Sequence, residues 1–262
     1  MTIQVVGHRG ASGYAPETTI ASYRMAIQMG ADFVEADVHR SKDRVWVAIH
    51  DADLSRTTNG KGFVADHTLA ELKTLDAGSW FNKAFPEKTR PDYIGLKIPA
   101  LQEVMDVVQE TNVGLFIEIK ESERDQQSAV SHQLSAVSRP PDLESTLLSL
   151  IHSRHMENRT HILSFSADSL RKIKGLDASV PTVFLVAKPN GNPVQATLDI
   201  PADELGILHT HATPALVEEA HRSGILISVW TVDHPEDMKR MIALGVDRIT
   251  TNYPDRLIRM LR

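Results

Sequence analysis

Short, apolar, β-branched runs alternate with amphipathic stretches of helical period along most of this chain. Runs at residues 3–7, 33–38, 113–119, 162–164, 182–186, 206–209, 226–230 and 248–250 predict strands. A further extended run at 45–49 predicts a strand paired with the second. Between them, apolar positions recur at helical spacing over 20–29, 101–110, 126–138, 169–174, 214–222, 235–243 and 254–261. Thr213 before Pro214 and His234 before Pro235 are helix-start chemistry, and Gly30, Gly224 and Gly245 stand where left-handed C-caps belong. Residues 140–142 read as a linker into one more helix before Arg154.

Roughly eight strand–helix units predict one α/β domain over residues 1–262, a (β/α)8 TIM barrel. An open doubly wound sheet is the other arrangement of such units. It usually carries a glycine-rich phosphate or dinucleotide loop after a strand, and this chain has none. The alternation lapses between about 51 and 97, where LSRTTNGKG, a short helical pattern at 69–75, GSWF and a Pro/Lys-rich segment follow one another. Structureless loops of that length are uncommon, and Trp80 and Phe81 argue for order. The segment reads as a small insertion after the second strand region, folded over one end of the barrel.

Composition narrows the partners. Of the 262 residues, 42% are hydrophobic, enough for a sizeable core, and the formal net charge is −6. That balance argues against nucleic acid or an anionic membrane as partner, so an anionic substrate must be drawn in by a local positive site. The absence of cysteine excludes disulfides and thiolate chemistry and fits a reducing cytoplasm. No apolar run approaches the ~20 residues that span a bilayer, and MTIQVVGHRG has no signal-type character. The expectation is a cytoplasmic protein without stable membrane insertion.

Candidate chemistry gathers at the C-terminal ends of the predicted strands. Residues two apart in a strand share a face, so Glu35 and Asp37 project together, as do Glu118 and Lys120. His8 and His50 each close an extended run. In a barrel this is the face where catalytic groups collect. Three carboxylates from two strands make a hard oxygen site for one divalent cation, Mg²⁺ or Ca²⁺. Arg9 can grip a phosphate with a planar fork, Lys120 adds a point charge, and two histidines can divide acid and base roles. Each element has a plainer reading: a carboxylate pair is commonly a solvated face, Glu118 and Lys120 can form a same-face salt bridge, and most of the 12 histidines must be bystanders. His39 shares the face of Asp37, while His209 and His211 follow a strand and either line the pocket or serve structure. Trp230, at a strand end, either packs in the core or walls the substrate site. Convergence carries the reading: a proton donor, a proton acceptor, fixed cations and an acid cluster are the inventory for cutting a phosphate ester.

Taken together, HRG at 8–10, PET at 16–18, VEADV at 34–38, HDADLSRTTNGKG at 50–62, GSWF at 78–81, IPALQEV at 98–104, FIEIK at 116–120, SF at 164–165, VWTVD and GVDRITTNYP resemble the glycerophosphodiester phosphodiesterase family. The resemblance runs from His8 to Pro254. It implies a (β/α)8 barrel with the insertion, a divalent cation on Glu35, Asp37 and Glu118, and His8 with His50 as the general acid–base pair. It further implies that Arg9 and Lys120 lie near the phosphate and that Glu17, matching the acid of the family's E-N-T motif, supports the site from the first loop. Thr18 stands where the family usually has Asn, Arg44 replaces a common turn glycine, and Asn252 occupies a position that is often Asp. No proposed metal or acid–base position is lost.

The expected reaction is metal-dependent hydrolysis of a small glycerophosphodiester, such as glycerophosphocholine or glycerophosphoethanolamine, to sn-glycerol 3-phosphate and an alcohol. Either water or the neighbouring glycerol hydroxyl is the nucleophile, and either histidine can be the base. One alternative is phospholipase D-like hydrolysis of lysophospholipids, which needs an apolar surface or an interfacial helix; no strongly basic amphipathic helix is evident. The other is a non-catalytic phosphodiester-binding protein, which loss of a histidine or metal acid would have signalled.

Overall fold

The computed structural model describes residues 3–120 and 142–262. The predicted helix at 126–138 lies outside the described residues. Eight parallel strands form the barrel: β1 (Gln4–Gly7), β2 (Phe33–Arg40), β4 (Gly114–Ile119), β5 (Thr160–Ser164), β6 (Thr182–Val186), β7 (Glu204–Leu208), β8 (Leu226–Trp230) and β9 (Arg248–Thr251). Each pairs with the next, and β1 pairs with both β9 and β2, which closes the sheet. The short β3 (Trp46–Ala48) adds antiparallel to the far end of β2, with Val38 opposite Ala48.

Alternation along β2 decides which side chains enter the barrel. Val34, Ala36 and Val38 pack outward with Tyr23 and Ala26 of helix α1 (Ile20–Met29) and with Leu101 and Val104. Glu35 and Asp37 must therefore face inward. The interior is filled by Val6, Phe116, Leu163, Val183 and Leu185, with Phe33 and Trp230 against them. Burying each such side chain contributes roughly 1.5–3 kcal/mol, and the polar residues sit above this plug. Helix α1 starts on the Thr19 hydroxyl, which accepts from Ser22 N, and stops at Gly30 in the left-handed region, φ 94°.

At the opposite mouth, Glu204 and Arg248 form a buried ion pair. Arg248 also donates to Gln4 Oε1 at 2.8 Å and lies over the rings of Phe33 and Phe116.

The insertion holds helices α2 (Leu69–Leu72) and α3 (Ser79–Ala84), and turns at Val64–Asp66, Pro86–Lys88 and Pro91–Tyr93. It packs on the loop between β1 and α1: Phe81 and Tyr93 bury Ala15, Tyr93 Oη donates to Tyr14 O at 3.0 Å, and Lys88 Nζ donates to Gly13 O at 2.9 Å. Helix α4 (Leu101–Gln109) precedes β4.

After the undescribed segment come α5 (Leu143–Ser153), capped by Asp142, then α6 (Ala167–Leu176), α7 (Pro193–Asp199), α8 (Pro214–Arg222), α9 (Pro235–Leu244) and α10 (Pro254–Leu261). Helix α7 lies outside the predicted helices: its two turns are too short for a clear period, and Asn192 capping Val194 N and Gln195 N initiates it. Strand β7 begins two residues earlier than its apolar pattern because Glu204 is buried by its pairing with Arg248, and His209–His211 forms a 3-10 turn instead of extending it. No helix among the described residues is long and apolar enough to cross a membrane.

Candidate active site

The HRG turn leaves β1 and doubles back over α1. Gly10 has φ 84°, and a Cβ there would lie 2.4 Å from Ser22 Oγ, so only glycine lets the turn sit this low. The turn directs the Arg9 amide to Glu35 Oε2 at 2.8 Å. It also sends the Arg9 guanidinium to Asp37 Oδ2 at 3.0 Å and Glu17 Oε1 at 2.8 Å. Two ladder extensions beyond the strands complete the cluster. Ile49 N donates to Asp37 O, which brings His50 beside the end of β2, and Lys120 N donates to Val38 O. Lys120 Nζ then lies 2.9 Å from Asp37 Oδ1 and contacts Glu118.

Glu35, Asp37 and Glu118 each offer a carboxylate oxygen, and the three oxygens lie within 4.8 Å of one another. Burial, with Asp37 and Glu118 beside it, pushes Glu35 well above the usual carboxylate range. Burial and Asp37 push Glu118 up to about 7. Burial opposes the charge of Asp37 too, but Lys120 and Arg9 outweigh it and hold that carboxyl well below its ordinary value. Glu35 Oε1 is buried without a hydrogen-bond partner. Mutual repulsion, an orphaned oxygen and an all-carboxylate donor set fit a hard divalent cation, which would satisfy all three.

The two histidines have different surroundings. His8 Nδ1 lies 2.7 Å from Asn252 Oδ1, and burial together with Arg9 pushes the ring down to about 4. His50 Nδ1 donates to Asp51 Oδ1 at 2.6 Å, and its backbone carbonyl accepts from His39 Nε2 at 3.0 Å. His39 thus holds the His50 main chain from the interior. Asp51 is pulled down to about 2, chiefly by hydrogen bonds from Arg56. Arg56 also reaches both oxygens of Glu17, at 3.0 and 2.8 Å, and Glu17 itself sits below its usual range because Arg56 and Arg9 outweigh its burial.

Glu17, Arg9, Glu35, Asp37, Glu118, Lys120 and His50 join this polar cluster at the C-terminal ends of β1, β2 and β4, with His8 beside it on Asn252. Trp230 lies across the mouth on β8, its ring edge-on to the half-exposed Phe165 at 5.6 Å. His209 faces Asp237 and Arg240 on α9 instead of the cluster. Sequence reasoning assigned no role to Asp51, Arg56, Asp233 or Ser12. Only adjacency to His50 hints at Asp51; the others meet their partners through tertiary contacts.

Residues 8–256 match the Glycerophosphoryl diester phosphodiesterase family. A glycerophosphodiester phosphodiesterase of Bacillus subtilis (strain 168) is 42% identical over 97% of this chain and 84% of its own. One from Caldanaerobacter subterraneus subsp. tengcongensis is 37% identical over 100% and 99% of the two chains. Among solved structures, one from Silicibacter pomeroyi DSS-3 superposes with TM-score 0.88 at 27% identity, covering 99% of this chain and 93% of that one. A phosphodiesterase of Oleispira antarctica, in complex with the product sn-glycerol-3-phosphate, superposes with TM-score 0.79 at 28% identity over 98% and 96%.

Proposed function

The chain belongs to the glycerophosphoryl diester phosphodiesterase family and is a phosphodiesterase, and on that premise we propose that it hydrolyses small glycerophosphodiesters to sn-glycerol 3-phosphate and an alcohol in a divalent-cation-dependent reaction. The observation that carries this reading is the joint presence, at one barrel mouth, of three close carboxylates, two cationic side chains and two histidines. The sn-glycerol-3-phosphate bound by the Oleispira antarctica relative supports the choice of product.

Glu35, Asp37 and Glu118 would hold the cation, Mg²⁺ or Ca²⁺. Bound there, it would supply Lewis-acid stabilisation of a non-bridging phosphate oxygen. Arg9 and Lys120 anchor the phosphate, and Glu17 and Asp37 fix the direction of the Arg9 fork. His8, neutral near pH 7 through burial, takes the proton of the nucleophile. His50 gives a proton to the leaving oxygen, and the Asp51 carboxylate on Nδ1 compensates the positive charge of the donating ring. Trp230 and Phe165 form an apolar wall for the organic part of the substrate. The reaction is assigned to the cytoplasm, consistent with a chain free of cysteine.

The test is release of sn-glycerol 3-phosphate from glycerophosphocholine with Mg²⁺ or Ca²⁺, repeated with a chelator. Turnover abolished by the chelator is expected. Turnover unaffected by it would overturn the metal dependence, and turnover of lysophosphatidylcholine alone would replace the substrate class. Phosphorus NMR distinguishes attack by water from attack by the glycerol hydroxyl, since only the latter passes through a cyclic phosphate.

A further inference from the structure

Just beyond the C-terminal ends of three neighbouring strands, β8, β9 and β1, lie Asp233, Asn252 and His8, and these side chains are joined in a line. Asn252 Nδ2 donates to Asp233 Oδ2 at 2.6 Å, and Asn252 Oδ1 lies 2.7 Å from His8 Nδ1. Backbone contacts hold the line in register: Val232 N donates to Thr250 O, and His8 N donates to Thr251 O, both at 2.9 Å. The other Asp233 oxygen accepts from Asn252 N at 2.9 Å and from Thr251 Oγ1 at 3.1 Å.

We propose that Asp233 is a positioning residue that, through the side chain of Asn252, sets which ring nitrogen of His8 carries the proton. An amide is nearly symmetric in shape, so its surroundings decide which end is oxygen. An ionised carboxylate only accepts, and turning the Asn252 amide over would set two oxygens 2.6 Å apart. Its NH₂ must therefore face Asp233 and its oxygen must face His8. The nearby Ser12 hydroxyl, which can donate to Asn252 Oδ1, agrees with that orientation. An amide oxygen cannot donate, so the His8 proton sits on Nδ1 and Nε2 keeps its lone pair for the nucleophile's proton. Asp233 need not touch substrate. It acts at one remove, as a carboxylate fixing the tautomer of a catalytic imidazole does directly. The proposal rests on His8 acting as the base, and its test separates the two ideas.

Asp233→Asn preserves shape and reverses polarity. Its oxygen keeps the Asn252 and Thr251 donors, its NH₂ now meets the Asn252 side chain, and that amide turns over. His8 Nδ1 then faces an NH₂, and the proton moves to Nε2. The expected result is a fall in kcat of roughly 10²–10⁴ with KM changed only a few-fold. Adding Asn252→Asp to that variant restores an acceptor facing His8 and should recover at least tenfold in kcat. Long-range proton–nitrogen NMR reads the tautomer independently of activity, the His8 signals being identified by their loss in His8→Gln. A proton on Nδ1 is expected in the unaltered protein and on Nε2 in Asp233→Asn. A proton on Nε2 in the unaltered protein overturns the proposal without recourse to any variant. So does an Asp233→Asn protein with unchanged tautomer and kcat, or one whose lost activity the double variant leaves unrepaired. If His8→Gln retains activity while the tautomer switches as described, the base assignment fails and the positioning role stands.

Discussion

His8 and His50 are both imidazoles at strand ends, yet their partners differ in kind: an uncharged amide for one and a carboxylate for the other. Replacing either with alanine should lower kcat for glycerophosphocholine by roughly 10²–10⁴ with the fold retained. A variant near full activity would remove that residue from the chemistry. Glu118 and Glu35 are pushed up by burial and by neighbouring acids, Glu118 to about 7. A cation must displace their protons, so the folded apoprotein binds it more weakly as pH falls below about 7, by up to roughly tenfold per unit for each proton released. Calorimetric titration of Mg²⁺ or Ca²⁺ at pH 5.5 and 8 checks this; equal affinity at both would show that these carboxyls do not gate binding. Thr18 has φ 55°, an unfavourable conformation for a β-branched residue. Asn tolerates that region, so Thr18→Asn should raise stability by about 1 kcal/mol, read as an increase in Tm. Arg44, at φ 65°, shows the other departure: it takes the left-handed conformation a turn glycine would occupy, and the β2–β3 hairpin still forms.

At the scale of elements, Arg56 ties the insertion to the first loop. Its guanidinium spans Asp51, the partner of His50, and Glu17, the partner of Arg9. Hydrogen bonds to charged groups are worth about 1.5–3 kcal/mol, less here because the Arg56 side chain is 43% exposed. Arg56→Ala should therefore leave the barrel folded while loosening this junction. Amide hydrogen exchange is expected to quicken around residues 51–62 with β4 to β9 unchanged, and kcat should fall because His50 loses its oriented Asp51. Unchanged exchange in that stretch would mean that the apolar packing of Leu54, Val64 and Leu72 holds the insertion by itself.

Across the whole molecule, the two mouths of the barrel carry charge to different ends. At the opposite mouth Arg248 meets Glu204 and Gln4 above the rings of Phe33 and Phe116. Arg248→Met leaves Glu204 buried and uncompensated, which costs about 3–5 kcal/mol. At roughly 2–4 °C per kcal/mol, a Tm drop on the order of 10 °C is expected, with KM unchanged. A second change, Glu204→Leu, should return most of that loss. A large effect on KM would instead tie this plug to substrate binding. At the mouth that holds the candidate site, Arg9 and Lys120 pair with Asp37 and Lys120 also meets Glu118, yet burial and the neighbouring acids still push Glu35 and Glu118 up, a cost carried by the surrounding core.

Strand and helix periods, turn residues and the alternation of Glu35 and Asp37 with Val34, Ala36 and Val38 are properties of neighbouring residues, so the chain alone determines the barrel and the face on which its acids lie. The short helix α7 and the early start of β7 escape that reading, because one depends on a cap and the other on a partner 44 residues away. The same limit applies at the site. That His8 meets Asn252, that Arg56 bridges Asp51 to Glu17 and that Asp233 orients the Asn252 amide depend on barrel closure between β1 and β9 and on docking of the insertion. Hydrogen bonds act over about 3 Å in space regardless of separation along the chain, so only the tertiary structure could decide them.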